Sequence, residues 1–204
     1  MDRTSHWQHV YTTKAEGDVS WFETSPALSL QLMEAAGLTT ATCVLDVGGG
    51  DSRLVDALVR RGLTCVTVLD ISTAALERAR IRLGAAADVP TWIAADVTGD
   101  WSVDPVDIWH DRAVFHFLTN ADDRARYRTH LRAALKTGGT AIMATFALDG
   151  PEKCSGLPVA RYSPDTLAAE LGPDYQLIDA LHHVHHTPSG ATQSFQYSRF
   201  LRIA

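Results

Sequence analysis

The run Val44-Leu45-Asp46-Val47-Gly48-Gly49-Gly50-Asp51-Ser52 constrains this chain more than any other segment. A short apolar stretch breaks into three glycines, which allow a sharp turn and a close backbone approach to a ligand. The pattern that follows alternates between strand and helix. A helix over Ser52 to Arg61 stops at Gly62, and Thr64 to Leu69 reads as a β-branched strand ending at Asp70. Ser72 caps a helix to Leu83, closed by Gly84. Strands follow over Thr91 to Ala95, ending at Asp96, and over Val106 to His110. Asn120 caps a helix from Ala121 to about Lys136, Gly138-Gly139 end it, and Thr140 to Phe146 is a fifth strand. Such alternation requires crossover connections, hence a parallel sheet covered on both faces: an α/β chain with a doubly wound sheet.

The flanks differ. An aromatic segment with His6, Trp7, Tyr11, Trp21 and Phe22 precedes a helix opened by Ser25-Pro26 and ended by Gly37. After the fifth strand comes an irregular stretch, Ala147 to Ala160, and then a short helix opened by Ser163-Pro164-Asp165. Two extended runs, Tyr175 to His186 and Ala191 to Ile203, are joined by Thr187-Pro188-Ser189-Gly190 as a hairpin. At 204 residues, with no internal repeat and no dividing linker, one domain is expected over 1–204. It comprises an N-terminal helical lid (1–40), a core (43–146) and a distal loop, helix and hairpin (147–204).

The acidic residues narrow the ligand. Gly48 and Gly50 would begin a G-x-G-x-x-G phosphate turn, but its third position is Arg53, too large for close helix–strand packing. Asp46 beside the turn would repel a phosphate and attract an amino group or sulfonium. Asp70 can accept from two ribose hydroxyls and Asp96 from an adenine amino group. Three carboxylates thus end three successive strands, at the sheet edge where such folds bind ligands.

These residues resemble the core of the class I S-adenosylmethionine (SAM)-dependent methyltransferases. Asp46, Gly48 and Gly50 match the first motif of that family, [DE]-x-G-x-G, while Asp70 resembles its second acidic position and Asp96-Val97 its third. Asp107 to Leu118 resembles the fourth motif, and Leu135-Lys136-Thr137-Gly138-Gly139 is similar to the L-K-P-G-G before the fifth strand, with Thr for Pro. The resemblance implies a seven-stranded Rossmann-like methyltransferase fold, mostly parallel with the last strand antiparallel. It implies SAM as cofactor and S-adenosylhomocysteine as product; separately, no metal is expected. Cofactor-binding residues would be Tyr11, Trp21, Asp46, Gly48, Gly50, Asp70, Ile71, Asp96, Val97, Asp111 and Arg112.

The acceptor side is less defined. His116 follows the fourth strand and is either a base or a cap of the next turn; His185 and His186, before the hairpin turn, are further proton-transfer candidates. Trp7, Phe22, Phe115, Cys154, Arg161, Tyr162 and Gln193 are candidate substrate contacts. The loop from Asp149 to Pro158 is either an acceptor wall or a surface loop, and the N-terminal aromatics act as a water-excluding lid, a staple for the first helix, or both. His183 and His185 share one strand face, but no third ligand accompanies them, so substrate contact is favoured over metal.

The net charge of −6 argues against a nucleic-acid partner. Neither a signal peptide nor a membrane-spanning run is indicated. Three cysteines without a CxxC suggest no disulfide framework, with Cys43 and Cys65 as small hydrophobes inside strands, and so a cytoplasmic protein. A monomer or homodimer is expected. The expected activity is methyl transfer to a small-molecule nucleophile, with a thiol or related chalcogen compound favoured. The alternatives are a protein side-chain methyltransferase and a SAM-binding regulator without turnover.

Overall fold

A computed structural model describes residues 2–204. Five parallel strands form the centre: β1 (Val44–Val47), β2 (Val66–Asp70), β3 (Thr91–Ala94), β4 (Val106–Arg112) and β5 (Leu135–Phe146). The short β6 (Lys153–Cys154) and β7 (Leu157–Pro158) pair as a separate ribbon inside the stretch expected to be irregular. The hairpin of β8 (Tyr175–His186) and β9 (Thr192–Arg202) completes the sheet in the order β3-β2-β1-β4-β5-β9-β8. β9 runs antiparallel to β5, as expected. This is the seven-stranded Rossmann-like methyltransferase fold in a single domain.

Helices α3 (Leu54–Arg60), α4 (Thr73–Leu83) and α5 (Ala121–Ala134) are the crossovers. α4 and α5 carry the expected side-chain caps, Ser72 and Asn120. α5 ends two residues before Lys136 because Leu135 already pairs with Val106 in the sheet. α6 (Pro164–Leu171) starts with a capping box at Ser163 and Thr166. Apolar side chains fill both faces: Leu54, Leu58, Leu76 and Met33 on one, Trp109, Tyr127, Leu131 and Leu167 on the other.

Two helices precede β1, α1 (Arg3–Thr13) and α2 (Ala27–Ala35). α1 turns Trp7, Val10 and Tyr11 inward, with Val10 and Tyr11 buried. Polar contacts with α4 and the strand ends add to this hold. The Gln8 side-chain oxygen accepts from Ser72 Oγ (3.0 Å), Thr73 Oγ1 (3.2 Å) and the Ala74 amide (3.2 Å), so it satisfies the start of α4. Arg3 pairs with Asp96 and Asp123.

The cysteines correct the sequence reading. Cys43 and Cys65 lie just before β1 and β2, not inside them, and Cys65 is exposed. Parallel register sets Val44 beside Val66, so the preceding residues are neighbours as well. Their Cα atoms are 4.6 Å apart and the two thiols form a disulfide. This removes the argument for a reducing compartment. Among the described residues, no helix is long and apolar enough to cross a membrane.

Candidate active site

The β1 turn rises at the carboxyl edge of the sheet. The Gly48 and Gly49 amides donate to the Leu69 carbonyl, at 2.7 and 3.2 Å, which folds the turn back over β2. Gly48 has φ +66° and a Cβ there would collide with Val114 Cγ2; Gly50 has φ +40° and a Cβ would lie 2.7 Å from Asp70 Oδ2. Both positions require glycine for conformation and for space.

Two cavities open above this turn and share Tyr11, Trp21, Gly48 and Arg112. The smaller is acidic, with Glu16, Glu23, Asp46 and Asp51 in its wall. Three of these carboxylates are matched by arginines: Glu16 by Arg53 (2.8 Å), Glu23 by Arg112 (2.9 Å) and Asp51 by Arg82. Asp46 is not. Its Oδ1 meets His110 Nδ1 at 2.7 Å, and its Oδ2 is buried without a partner. A cationic amino group is the natural complement of that oxygen.

The larger cavity is mainly apolar. Asp70, Ile71, Asp96 and Val97 line one end, and Trp7, Phe117, Cys154, Gln193 and Phe195 the other. Asp70 is buried, which pushes its carboxyl up to about 7, although the Ser72 amide stabilises the anion at 2.8 Å. Asp96 is partly exposed, binds Thr98 through Oδ1 and meets Arg3 through Oδ2. Both carboxylates can accept from ligand hydroxyl or amino groups. The roof is an edge-packed aromatic cluster: Trp7 lies 5.6 Å from Trp21 and 5.1 Å from Phe117, centroid to centroid.

The strap that carries Trp21 is tied to the sheet. Arg112 donates to the Trp21 carbonyl (2.9 Å), His185 Nε2 meets the Ser20 carbonyl (2.7 Å), and Gln193 reaches Ser20 Oγ (3.3 Å).

Residues 44–139, centred on this turn and the three strand-end carboxylates, match the family model for a methyltransferase domain. Just under half of the chain is thus similar to a methyltransferase domain, and the whole has the fold of SAM-dependent methyltransferases. Solved structures agree on the fold. One, from work on the conversion of a disulfide bond into a thioacetal group during echinomycin biosynthesis, is 20% identical with TM-score 0.79, covering 99% of this chain and 94% of its own. A SAM-dependent methyltransferase from Anabaena variabilis is 14% identical with TM-score 0.75, over 99% and 96%. The Burkholderia thailandensis 1,6-didemethyltoxoflavin-N1-methyltransferase, solved with its acceptor and S-adenosylhomocysteine, is 18% identical with TM-score 0.71, over 98% and 87%. Comparison with curated proteins gives no match.

In this chain, ten of the eleven expected cofactor residues reach the cavities or their glycine rim; the exception is Asp111. Strand alternation sends His110 and Arg112 to the cavity face and Asp111 to the other. There Asp111 accepts from the Val114 and Phe115 amides and from Tyr127 Oη (2.5 Å), and burial raises its carboxyl to about 6. His110 was missed. Counting in twos along β4 from Arg112 was the available signal.

The acceptor candidates divide. Trp7, Cys154 and Gln193 line the larger cavity, and Phe22 the smaller. Phe115 and Tyr162 are packed in the core against Tyr127 and each other. Arg161 is engaged with the Gly150 carbonyl and Glu152, bracing the ribbon loop. His116 is wholly buried beside Phe117 and Phe146, lines neither cavity, and is pushed down to about 3 by burial. His185 is held by Ser20, with burial lowering its pKa. His186 is exposed on a separate open cleft with Phe22, Glu23 and His183. None of the three histidines faces the apolar end of the larger cavity.

Proposed function

We propose that this enzyme methylates a compact small molecule at sulfur or a related chalcogen. SAM, when bound, supplies an electrophilic methyl group on a sulfonium. Asp46 is suited to hold its amino group, Asp70 its ribose and Asp96 its adenine. Trp7, Tyr11 and Trp21 exclude water from the space between the two cavities.

The observation that carries the acceptor class is the absence of a free base among the described residues at the acceptor end. Cys154 is held neutral there, its thiol pushed up to about 11 by burial. Gln193 is an amide, and Arg112 is engaged by Glu23 and Tyr197. With no side chain placed to take a proton, the acceptor must ionise by itself. A thiol does so near neutral pH, and its thiolate is a strong nucleophile. The protein's contribution is then orientation and dryness. The roofed, apolar chamber supports a small molecule over a protein side chain, and the net charge of −6 supports a partner other than nucleic acid.

One neighbouring structure comes from work on converting a disulfide into a thioacetal, whereas the compact-acceptor toxoflavin enzyme and NodS from Bradyrhizobium japonicum are N-methyltransferases. The test is therefore a panel of thiols, selenols, phenols, amines and carboxylates with methyl-labelled SAM. Label should appear in thioether or selenoether products, with kcat/KM rising through the acceptor's own pKa. Label only in amines or carboxylates, or only on protein, overturns the proposal.

A further inference from the structure

We propose that His110 is a positioning residue of the cofactor site: with Ser29 it holds the Asp46 carboxylate so that Oδ2 faces the acidic cavity. This rests on that cavity taking the cofactor's amino end and is independent of the acceptor.

The three groups form one buried chain. β1 and β4 pair Asp46 directly with His110. His110 Nδ1 lies 2.7 Å from Asp46 Oδ1, and His110 Nε2 lies 2.9 Å from Ser29 Oγ on α2. Asp46, His110 and Ser29 are 2%, 3% and 2% exposed, so water does not compete for these bonds. A carboxylate only accepts, which places a proton on Nδ1; with a neutral ring, Nε2 accepts from the Ser29 hydroxyl. The carboxylate therefore fixes the Nδ1 proton, and the Ser29 hydroxyl, able to donate or accept, satisfies Nε2.

The choice of an imidazole has a consequence for charge. Each other acidic side chain of the cavity is matched by an arginine, which neutralises it. The imidazole holds Asp46 through Oδ1 alone, and Oδ2 is left without a partner. Gly49 completes the arrangement: a Cβ there would lie 2.5 Å from Asp46 Oδ2 and 2.9 Å from its Cγ. An arginine at 110 would pair with Asp46 and occupy the oxygen that a ligand ammonium needs.

Calorimetric titration of S-adenosylhomocysteine into the wild type and the variants Asp46→Asn, His110→Asn, His110→Gln and Ser29→Ala tests this. An asparagine amide nitrogen can stand near the Nδ1 position and a glutamine amide nitrogen near Nε2. His110→Asn should therefore stay within about threefold of wild type, while His110→Gln and Asp46→Asn should each lose about tenfold or more, the scale of a hydrogen bond to a charged group. Ser29→Ala should show a smaller loss. In turnover, His110→Gln should raise KM for SAM with kcat little changed. The wild type offers a readout free of folding effects: with 15N-labelled histidine, the His110 Nδ1–H resonance should be observed and should move when S-adenosylhomocysteine is added. Equal losses in His110→Asn and His110→Gln, no loss in either, or an unresponsive His110 resonance overturns the positioning role. A wild type that fails to bind, or an Asp46→Asn variant with unchanged affinity, overturns instead the placement of the cofactor's amino end.

Discussion

The Arg112 guanidinium lies 2.9 Å from the Glu23 carboxylate, beneath the strap that carries Trp21. Arg112 is partly buried, and the same side chain donates to the Trp21 carbonyl and to Tyr197 Oη. Glu23→Ala should leave that charge without its acidic partner. Unfolding free energy should fall by about 1–3 kcal/mol, at the lower end because Glu23 keeps some solvent contact. The loosened strap should also speed release of S-adenosylhomocysteine. Urea denaturation and stopped-flow dissociation check the two effects; an unchanged midpoint and rate would remove the strap's dependence on this pair.

Asp70 should make cofactor binding depend on pH. Its folded pKa is raised from 3.8 to about 7 by burial. The folded chain therefore keeps a proton that the unfolded chain has released, so this group alone lowers stability as pH rises from about 4 to about 7. Hydroxyl donors from a ribose need the ionised carboxylate. Affinity for S-adenosylhomocysteine should rise from pH 5.5 to about 7 and then level. Asp70→Asn should bind less tightly by about 1–3 kcal/mol and lose that rise. A wild-type affinity flat across this range would exclude Asp70 from the contact.

His116 predicts the acid limb of stability. Its folded pKa is lowered from 6.5 to about 3, because burial disfavours the imidazolium. Unfolded chains take up a proton below pH 6.5 that the folded chain refuses, so stability is lost as pH falls through that value. At pH 5 the loss is about 2 kcal/mol. His116→Phe should flatten the fall in melting temperature between pH 7 and 5, and should leave the pH profile of kcat unchanged in shape. A kcat profile that loses its acid limb in this variant would instead make His116 a proton acceptor.

The Cys43–Cys65 disulfide closes a loop across a sequence separation of 22. Loop-closure entropy for that length gives about 3 kcal/mol of stabilisation in the chain-entropy account. Reductant, or the double substitution Cys43→Ser with Cys65→Ser, should lower the urea midpoint accordingly. Oxidised wild type should show one free thiol per chain after denaturation, from Cys154. Three free thiols without reductant would show that the bond does not form.

Much of the cofactor edge was legible because its signals are local. The Gly48–Gly50 turn, the carboxylates of Asp46, Asp70 and Asp96 at strand ends, and the caps Ser72 and Asn120 each follow from a few adjacent residues and the geometry of the next peptide. Parallel pairing then sets those strand ends at one edge. What tertiary structure alone decided is where side chains from distant segments meet. Asp111 and His110 are adjacent, yet the pleat of β4 sends one to Tyr127 and the other to Asp46. His116 resembled a catalytic base until Phe117 and Phe146 enclosed it. Gln8 became the cap of a helix more than sixty residues away, and two cysteines became one bond through strand register. The sequence by itself determined the strand–turn–helix frame and the carboxylates at its strand ends, because backbone conformation and capping act over a few residues. Only the packed structure decided burial, charge pairing and the shape of the acceptor chamber, because those depend on which surfaces exclude water from one another.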